Sequence, residues 1–296
     1  MQQSELETWQ TQGRLTDYRG HAVFLREEGR GEALLCLHGY PYSSWQWRRL
    51  WPALAGRYRL IAPDMIGSGF SDKPRDFDYS IQAQTDLVVD ILRQLGMSDV
   101  HLLAHDYGVS IAQEMLARNQ AGVQDPKVRS VCFLNGGLLP EKFRERMEHR
   151  LIRLRGMQVA LLFDGRSYAR SVSALYGPVT RPSPGELALD WELASQNGGL
   201  FVADKIFRFL EERIENRDRW VGALQKSAVP LRLINGADDP IAGQAMAETY
   251  REVVPQADVI SLPGIGHFPH LEAADKVLEA YLEFAGRSAG AATQAL

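Results

Sequence analysis

The sequence predicts an α/β fold: a mostly parallel sheet with helices on both faces, divided in sequence by a helical insertion. Three observations carry this. Strand-like apolar runs alternate with helical patterns, the mark of βαβ units. The alternation stops after Gly137 and gives way, as far as residue 225, to helical patterns without a clear strand. It then resumes at "PLRLINGADDP". Residues 1–137 and 226–296 are therefore assigned to a sheet domain, and residues 138–225 to a helical cap lying over it.

Element by element, "RLTDY", "HAVFLREE" and "ALLCLHG" read as three strands, with turns at Arg19-Gly20 and "GRGE". The helix-like "SSWQWRRLWPALA" precedes the strand-like "RYRLIAP"; "SIQAQTDLVVDILRQLG" precedes "VHLLAH"; "YGVSIAQEMLARN" precedes "KVRSVCFLNGG". Strands apolar on both sides fit a sheet covered on both faces. In the insertion, "PEKFRERMEHRLIRLRG", "GELALDWELASQ", "GLFVADKIFRFLEERIE" and "DRWVGALQ" read as helices. The first has a basic face, but its interleaved Glu residues predict a solvated helix rather than a membrane surface. "ADVISLPGIGH" is the last strand, "AADKVLEAYLEFAG" the last helix and "RSAGAATQAL" a frayed tail.

Composition narrows the class. The 296 residues are 45% hydrophobic and 24% charged, with a net charge of −4, as expected of a globular protein without the positive excess that nucleic acid demands. Cys36 and Cys132 sit in strand-like apolar runs and read as buried free thiols of a reducing compartment. The N-terminus lacks a signal-peptide pattern, and no apolar run approaches the roughly 18 residues of a membrane span. The expectation is a cytoplasmic protein, a monomer or homodimer, with no nucleic-acid or membrane partner. "GSGFSDKP" lacks phosphate-binding spacing, so no nucleotide loop is expected.

The chemistry concentrates in "LLAHDYGVSI". A sharp strand-to-helix turn there would hold Asp106 at the carboxyl edge of the sheet, above a helix N-terminus that favours an anion, and would require small neighbours, met by Ala104 and Gly108. The plain alternative is an N-capping aspartate. "INGADDPIAG" places an acid behind a later strand, Asp239 in preference to Asp238, and "PGIGHFPHLE" offers His267 in preference to His270. Nucleophile, acid and histidine in that order, each on a loop after a strand, is the order of a hydrolytic triad. "HGYPYSSWQW" supplies a loop whose Tyr40 N–H, with that of Tyr107, would face a developing oxyanion. His38, Trp45, His105, Tyr168 and Tyr176 are further pocket candidates; Trp191 and Trp220 read as core of the insertion.

These motifs, with "APDMIGSGFSDKP", resemble the α/β-hydrolase superfamily over residues 14 to 286, in the branch with an aspartate nucleophile that includes epoxide hydrolases and haloalkane dehalogenases. "YGPVTRPSPGEL" and "NRDRWVGAL" further resemble the mesoderm-specific transcript-like proteins. The resemblance implies an α/β-hydrolase fold with an inserted helical cap, no cofactor, no metal, and a small apolar organic substrate with water as co-substrate.

A carboxylate attacking acyl carbon would give a labile anhydride, whereas attack on alkyl carbon gives an ester of the enzyme. The expected reaction is therefore opening of an epoxide by Asp106, then hydrolysis of the Asp106 ester by water that His267 deprotonates while Asp239 orients it. Haloalkane or haloacid dehalogenation is the alternative chemistry, and a non-catalytic binding protein on the same fold the alternative of another class. Dehalogenases typically carry Trp where Tyr107 stands, which favours epoxides. Where epoxide hydrolases usually carry a second cap tyrosine, this chain has Phe207 and Phe209, leaving Tyr168 and Tyr176 as cap tyrosines, with Tyr40, Tyr42 or Tyr107 as substitutes.

Overall fold

A computed structural model describes residues 2–155 and 162–293. Its strands are β1 (Arg14–Tyr18), β2 (His21–Glu28), β3 (Ala33–Leu37), β4 (Arg59–Pro63), β5 (Asp99–Ala104), β6 (Lys127–Phe133), β7 (Leu231–Gly236) and β8 (Asp258–Leu262). They form a single sheet in the order β1-β2-β4-β3-β5-β6-β7-β8. β1 and β2 pair antiparallel, as do β2 and β4; every other pairing is parallel.

The period-two alternation of a strand sends successive side chains to opposite faces. Leu35, Leu37, Leu102 and Ala104 thus join one core, with helices Ile81–Gln94, Tyr107–Gln120, Arg217–Gln225 and Gln244–Val253. Leu34, Cys36, Leu103 and Cys132 join the other, with helices Gln2–Thr11, Trp51–Ala55 and Ala274–Thr293. Both cysteines are buried and unpaired.

The chain runs from β3 outward to β4 on one side and then returns to β5 on the other. This reversal leaves a crevice at the carboxyl ends of β3 and β5, where ligands of open α/β sheets bind. The loop carrying Tyr40 and the turn carrying Asp106 both leave the sheet there.

Between β6 and β7 the described residues hold helices and no strand, as the sequence predicts. The helices differ in detail. "PEKFRERMEHRLIRLRG" divides into a 3-10 turn, Pro140–Lys142, and a helix, Met147–Arg155, while its Gly156 lies outside the described residues. A helix at Gly165–Ser173, unassigned from sequence, starts in a capping box on Asp164. Pro184–Ser195 starts in a second, where Ser183 Oγ accepts from Glu186 N at 3.2 Å. "GLFVADKIFRFLEERIE" is not one helix: its first residues close the 3-10 segment Gln196–Phe201, in which the preceding Asn197 and Gly198 turn to φ of 50° and 85°, and short helices Ala203–Ile206 and Phe209–Glu215 follow.

Other differences have local causes. Helix Gln2–Thr11, unassigned from sequence, is anchored by Trp9, whose ring meets Trp45 and Trp51 edge-on at 5.7 and 4.9 Å. "SSWQWRRLWPALA" is a 3-10 segment, Ser44–Arg49, followed by helix Trp51–Ala55. Pro52 lies in the first turn of that helix, where its missing N–H costs nothing. Helix Gln244–Val253 is likewise unassigned from sequence. The final helix continues to Thr293, so "RSAGAATQAL" is helical rather than frayed that far, and residues 294–296 lie outside the described residues.

Candidate active site

The turn after β5 has the conformation its composition requires. Asp106 adopts φ 48° and ψ −105°, a region that costs a residue with a β-carbon roughly 1–3 kcal/mol. The surroundings hold it: Asp106 N donates to Asn135 O at 2.8 Å, and Gly108 N to His38 O at 3.0 Å. Close backbone approach explains the neighbouring glycines. A β-carbon on Gly108 would lie 2.4 Å from the Leu37 carbonyl oxygen, and one on Gly39 would lie 2.9 Å from Asp106 Cβ. Although Asp106 occupies the N-cap position of helix Tyr107–Gln120, its side chain makes no capping hydrogen bond. The carboxylate is turned to the crevice instead.

One oxygen, Asp106 Oδ2, accepts from Tyr40 N at 3.1 Å; the other, Oδ1, lies 3.9 Å from His267 Nε2. His267 Nδ1 is 2.7 Å from Asp239 Oδ2. With an ionised aspartate as acceptor, Nδ1 carries the proton and Nε2 is left facing Asp106. Asp239 is fixed by Ile241 N at 2.8 Å and Asn135 Nδ2 at 2.9 Å, while Asp238 turns away to accept from Gly264 N. The main chain of His267 is pinned too, its N–H donating to Leu175 O and its carbonyl accepting from His105 Nε2, each at 2.8 Å. His270 is fully buried, and neither of its ring nitrogens has a hydrogen-bond partner among the described residues.

The loop after β3 is braced from three sides. Gly39 N donates to Gln46 Oε1, Ser44 N to Asp64 Oδ1, and Met65 N to His38 Nε2. The Tyr40–Pro41 peptide is cis.

Electrostatics follow from burial and these partners. Burial alone would raise the Asp106 pKa, but His267, Arg213, His105 and the Tyr40 N–H together hold it below the usual carboxylate value. Burial pushes His267 down, yet Asp239, then Asp106 and Glu272, outweigh it, so its pKa lies above the ordinary 6.5. His105 falls to about 3, through burial and then the nearby His267, and stays neutral.

Asp106 and His267 open on a cavity of about 90 Å³ between the sheet edge and the helices of residues 138–225, room for several waters at roughly 10–15 Å³ each. Its walls are mostly apolar, among them Phe143, Ile152, Leu175, Phe207, Phe209 and Phe268. Besides Asp106 and His267, the polar wall residues include Tyr40, Tyr42, Glu148, His149, Tyr168 and Ser171. Ser171 Oγ donates to Glu148 Oε1 at 2.6 Å, and the His149 ring stacks on Phe207 at 5.0 Å. Among the described residues no three His, Cys, Asp or Glu side chains gather as a metal site. No described helix is long and apolar enough to cross a membrane.

Residues 32–274 match the α/β hydrolase fold family. The chain belongs to that family. This hydrolase is 36% identical over 294 residues to the mesoderm-specific transcript protein of Mus musculus, covering 94% of this chain and 87% of that one. It is 34% identical over 276 residues to the putative hydrolase LipZ of Mycobacterium tuberculosis, covering 93% and 96%. Among solved structures it is similar to the epoxide hydrolase CorEH without ligand (TM-score 0.78, 21% identity, covering 93% of this chain and 98% of that one). It is equally similar to a loop variant of the haloalkane dehalogenase DbeA from Bradyrhizobium elkanii (TM-score 0.78, 23% identity, 95% and 98%).

Within this hydrolase, Asp106, His267, Asp239 and the Tyr40 N–H come together as the sequence predicts, and Tyr107 N opens the helix beside them. The pocket expectations hold only in part. Tyr168 lines the cavity. Trp45 does not: it packs beside Trp9 in the core on the opposite face of the sheet, with the Arg48 guanidinium over its ring. His38 and His105 are also outside the cavity wall: His38 Nε2 accepts from Met65 N and His105 Nε2 donates to His267 O, behind the site. Tyr176 packs at a tilt on Phe268, ring centroids 4.6 Å apart, and is not among the cavity walls. Trp191, expected in the core, is a wall residue, whereas Trp220 is core and donates its indole N–H to Glu114. The helix expected to be merely solvated turns Glu148, His149 and Ile152 inward.

Sequence reasoning missed Asn135 and Arg213. Asn135 links Asp239 and Asp106, binding Asp239 through its side chain and Asp106 N through its carbonyl. A polar residue ending the apolar run "VCFLNGG" was the available signal. For Arg213 the sequence carries none.

Proposed function

We propose that this hydrolase works through an alkyl ester on Asp106, that epoxides are its preferred substrate class, and that residues 138–225 act as the cap. The observation that carries the proposal is the Asp106 carboxylate itself: held at a strained turn, anionic, free of any capping bond, and facing an apolar cavity with His267 behind it.

In the first step an Asp106 oxygen bonds to an epoxide carbon and the C–O bond breaks. The electron pair goes to the epoxide oxygen, which takes a proton from Tyr168. The hydroxyls of Tyr42 and Tyr168 lie against each other at the cavity, so Tyr42 can hold the Tyr168 hydroxyl as it gives up its proton. In the second step water attacks Cγ of the Asp106 ester and gives its proton to His267 Nε2. The Tyr40 and Tyr107 N–H groups stabilise the oxyanion, a donor in comparable sites contributing ~3 kcal/mol. The Cγ–O bond to the substrate then breaks, the proton passes from His267 to the departing oxygen, a diol leaves, and the proton remaining on the Asp106 carboxyl passes through water to the Tyr168 phenolate, which restores both groups. The reading needs substrate and water only, in a cytoplasmic monomer or homodimer.

Halide chemistry would need N–H donors at the leaving group. The one tryptophan among the described cavity walls, Trp191, has its Nε1 edge against Gly165, which favours the epoxide reading.

The test is His267→Gln, incubated with panels of epoxides and of alkyl halides and read by intact mass. The expected result is an adduct of whole-epoxide mass localised to Asp106. An alkyl adduct from halides alone would move the substrate class to dehalogenation. No adduct from any panel member, beside an inactive wild type, would overturn the proposal.

A further inference from the structure

Arg213 lies on helix Phe209–Glu215 and is 1% exposed. Its Nη2 donates to the Asp106 carbonyl oxygen at 2.8 Å and its Nε to Ser110 Oγ at 2.8 Å. Phe143 and Phe209 flank the guanidinium, their ring centroids 5.2 and 4.5 Å from its central carbon. Space for it depends on Gly137, where a β-carbon would come within 2.4 Å of Nη1.

Burying a guanidinium is expensive unless it is well paired. Among the described residues the one carboxylate within 4.0 Å is Asp106, through Oδ1 at that distance, and Nη1 has no partner. A residue serving only to join two helices would not need a charge here. Apart from the Nε bond to Ser110, the polar contacts converge on one residue: the carbonyl of Asp106, whose backbone is the strained one, and its carboxylate.

We propose that Arg213 is a positioning residue for Asp106, fixing the strained turn through its carbonyl and the carboxylate through charge, so that the helical segment and the reacting group form one unit. The inference rests on reading Asp106 as the nucleophile. Tightening or loosening of residues 138–225 then reaches the carboxylate directly, through one side chain. The guanidinium remains charged at neutral pH although burial lowers its pKa to about 10. The other groups acting on the carboxylate are His267, His105 and the Tyr40 N–H, with Asp106 in turn felt by His38 and His149. None of these replaces a cation bound to the turn itself.

The test uses a readout that needs no substrate. Aspartate labelled with carbon-13 at its carboxyl carbon is titrated by NMR in the full-length chain, the Asp106 signal being assigned by its loss in Asp106→Asn. Arg213→Met is expected to raise the Asp106 midpoint by a unit or more, a tenfold change in proton affinity. Arg213→Lys, which keeps a charge but cannot reach both acceptors, should shift it less. In a His267→Gln background, Arg213→Met should slow adduct formation at least tenfold. An unchanged midpoint in folded Arg213→Met overturns the proposal. Should that variant not fold, Gly137→Ala displaces the guanidinium tip without removing it; a raised midpoint there supports the proposal, and an unchanged one overturns it. A shifted midpoint with no adduct from any panel member would sink the alkyl-ester reading while leaving the hold of Arg213 on Asp106 standing.

Discussion

Asp239→Asn removes one charge from the far end of the Asp106–His267–Asp239 line at constant volume. Asp239 now satisfies three donors with two oxygens: His267 Nδ1 and Asn135 Nδ2 at Oδ2, Ile241 N at Oδ1. An amide has one oxygen. Turned to Ile241, it points its NH₂ at His267 Nδ1 and forces the imidazole proton onto Nε2, facing Asp106, where no proton can be accepted from water. Turned to His267, it leaves the Ile241 N–H facing a donor, and a buried unsatisfied group costs about 1–3 kcal/mol. The wrong tautomer costs ~10⁴ in rate in a comparable triad, about 5 kcal/mol at 1.36 kcal/mol per tenfold. The loss falls on ester hydrolysis, which needs His267 as base, and leaves alkylation within about tenfold.

The sign of the pH effect is also fixed. Hydrolysis needs neutral His267, so its rate rises with pH through the His267 pKa, which in the wild type lies above 6.5 because Asp239 favours the imidazolium. Without that charge, burial dominates and the midpoint falls below 6.5. The assay is rapid quench with intact mass, following appearance and decay of the Asp106 adduct across pH. Equal loss in both steps, or an acid limb that moves upward, would refute this reasoning.

Three further outcomes follow from the geometry. Tyr168→Phe should slow epoxide opening by ~10²-fold and leave alkylation by halides unchanged, read as adduct formation in the His267→Gln background. Trp45→Phe should lower the melting temperature by a few degrees, since the contacts with Trp9 and Arg48 contribute roughly 1–2 kcal/mol, while kcat/KM stays within about twofold. Gly108→Ala should destabilise by roughly 1–3 kcal/mol through overpacking against the Leu37 carbonyl oxygen, seen in calorimetry, and should reduce activity by shifting the turn.

The sequence made the sheet legible because strand alternation and turn residues are local signals. "HAVFLREE" and "ALLCLHG" became β2 and β3, and the turn at Asp106 followed from the small residues around it. That Asp106, His267 and Asp239 meet was legible because chain order and loop position place each of them at the same sheet edge. Cavity walls were not, since facing the cavity depends on how helices rotate and pack. Trp45 looked like a pocket residue from its place in "HGYPYSSWQW", yet the 3-10 turn sends it to the opposite core. Trp191 was turned the other way. The breaks after Phe201 and after Ile206 lay inside a run with good helical periodicity, where no glycine or proline gives a cue. Arg213 was illegible for a stronger reason: a buried arginine reads in sequence as one more charge in "FLEERIE".

The central claim is that Asp106 itself supplies an oxygen to the product. It is tested by a single turnover in water labelled with oxygen-18, using enzyme in excess over an epoxide identified by the adduct panel. The account predicts a diol without label and oxygen-18 in the Asp106 carboxylate, found by peptide mass. Label in the first-turnover diol with an unlabelled Asp106 would mean that water attacks the substrate directly, and would contradict it.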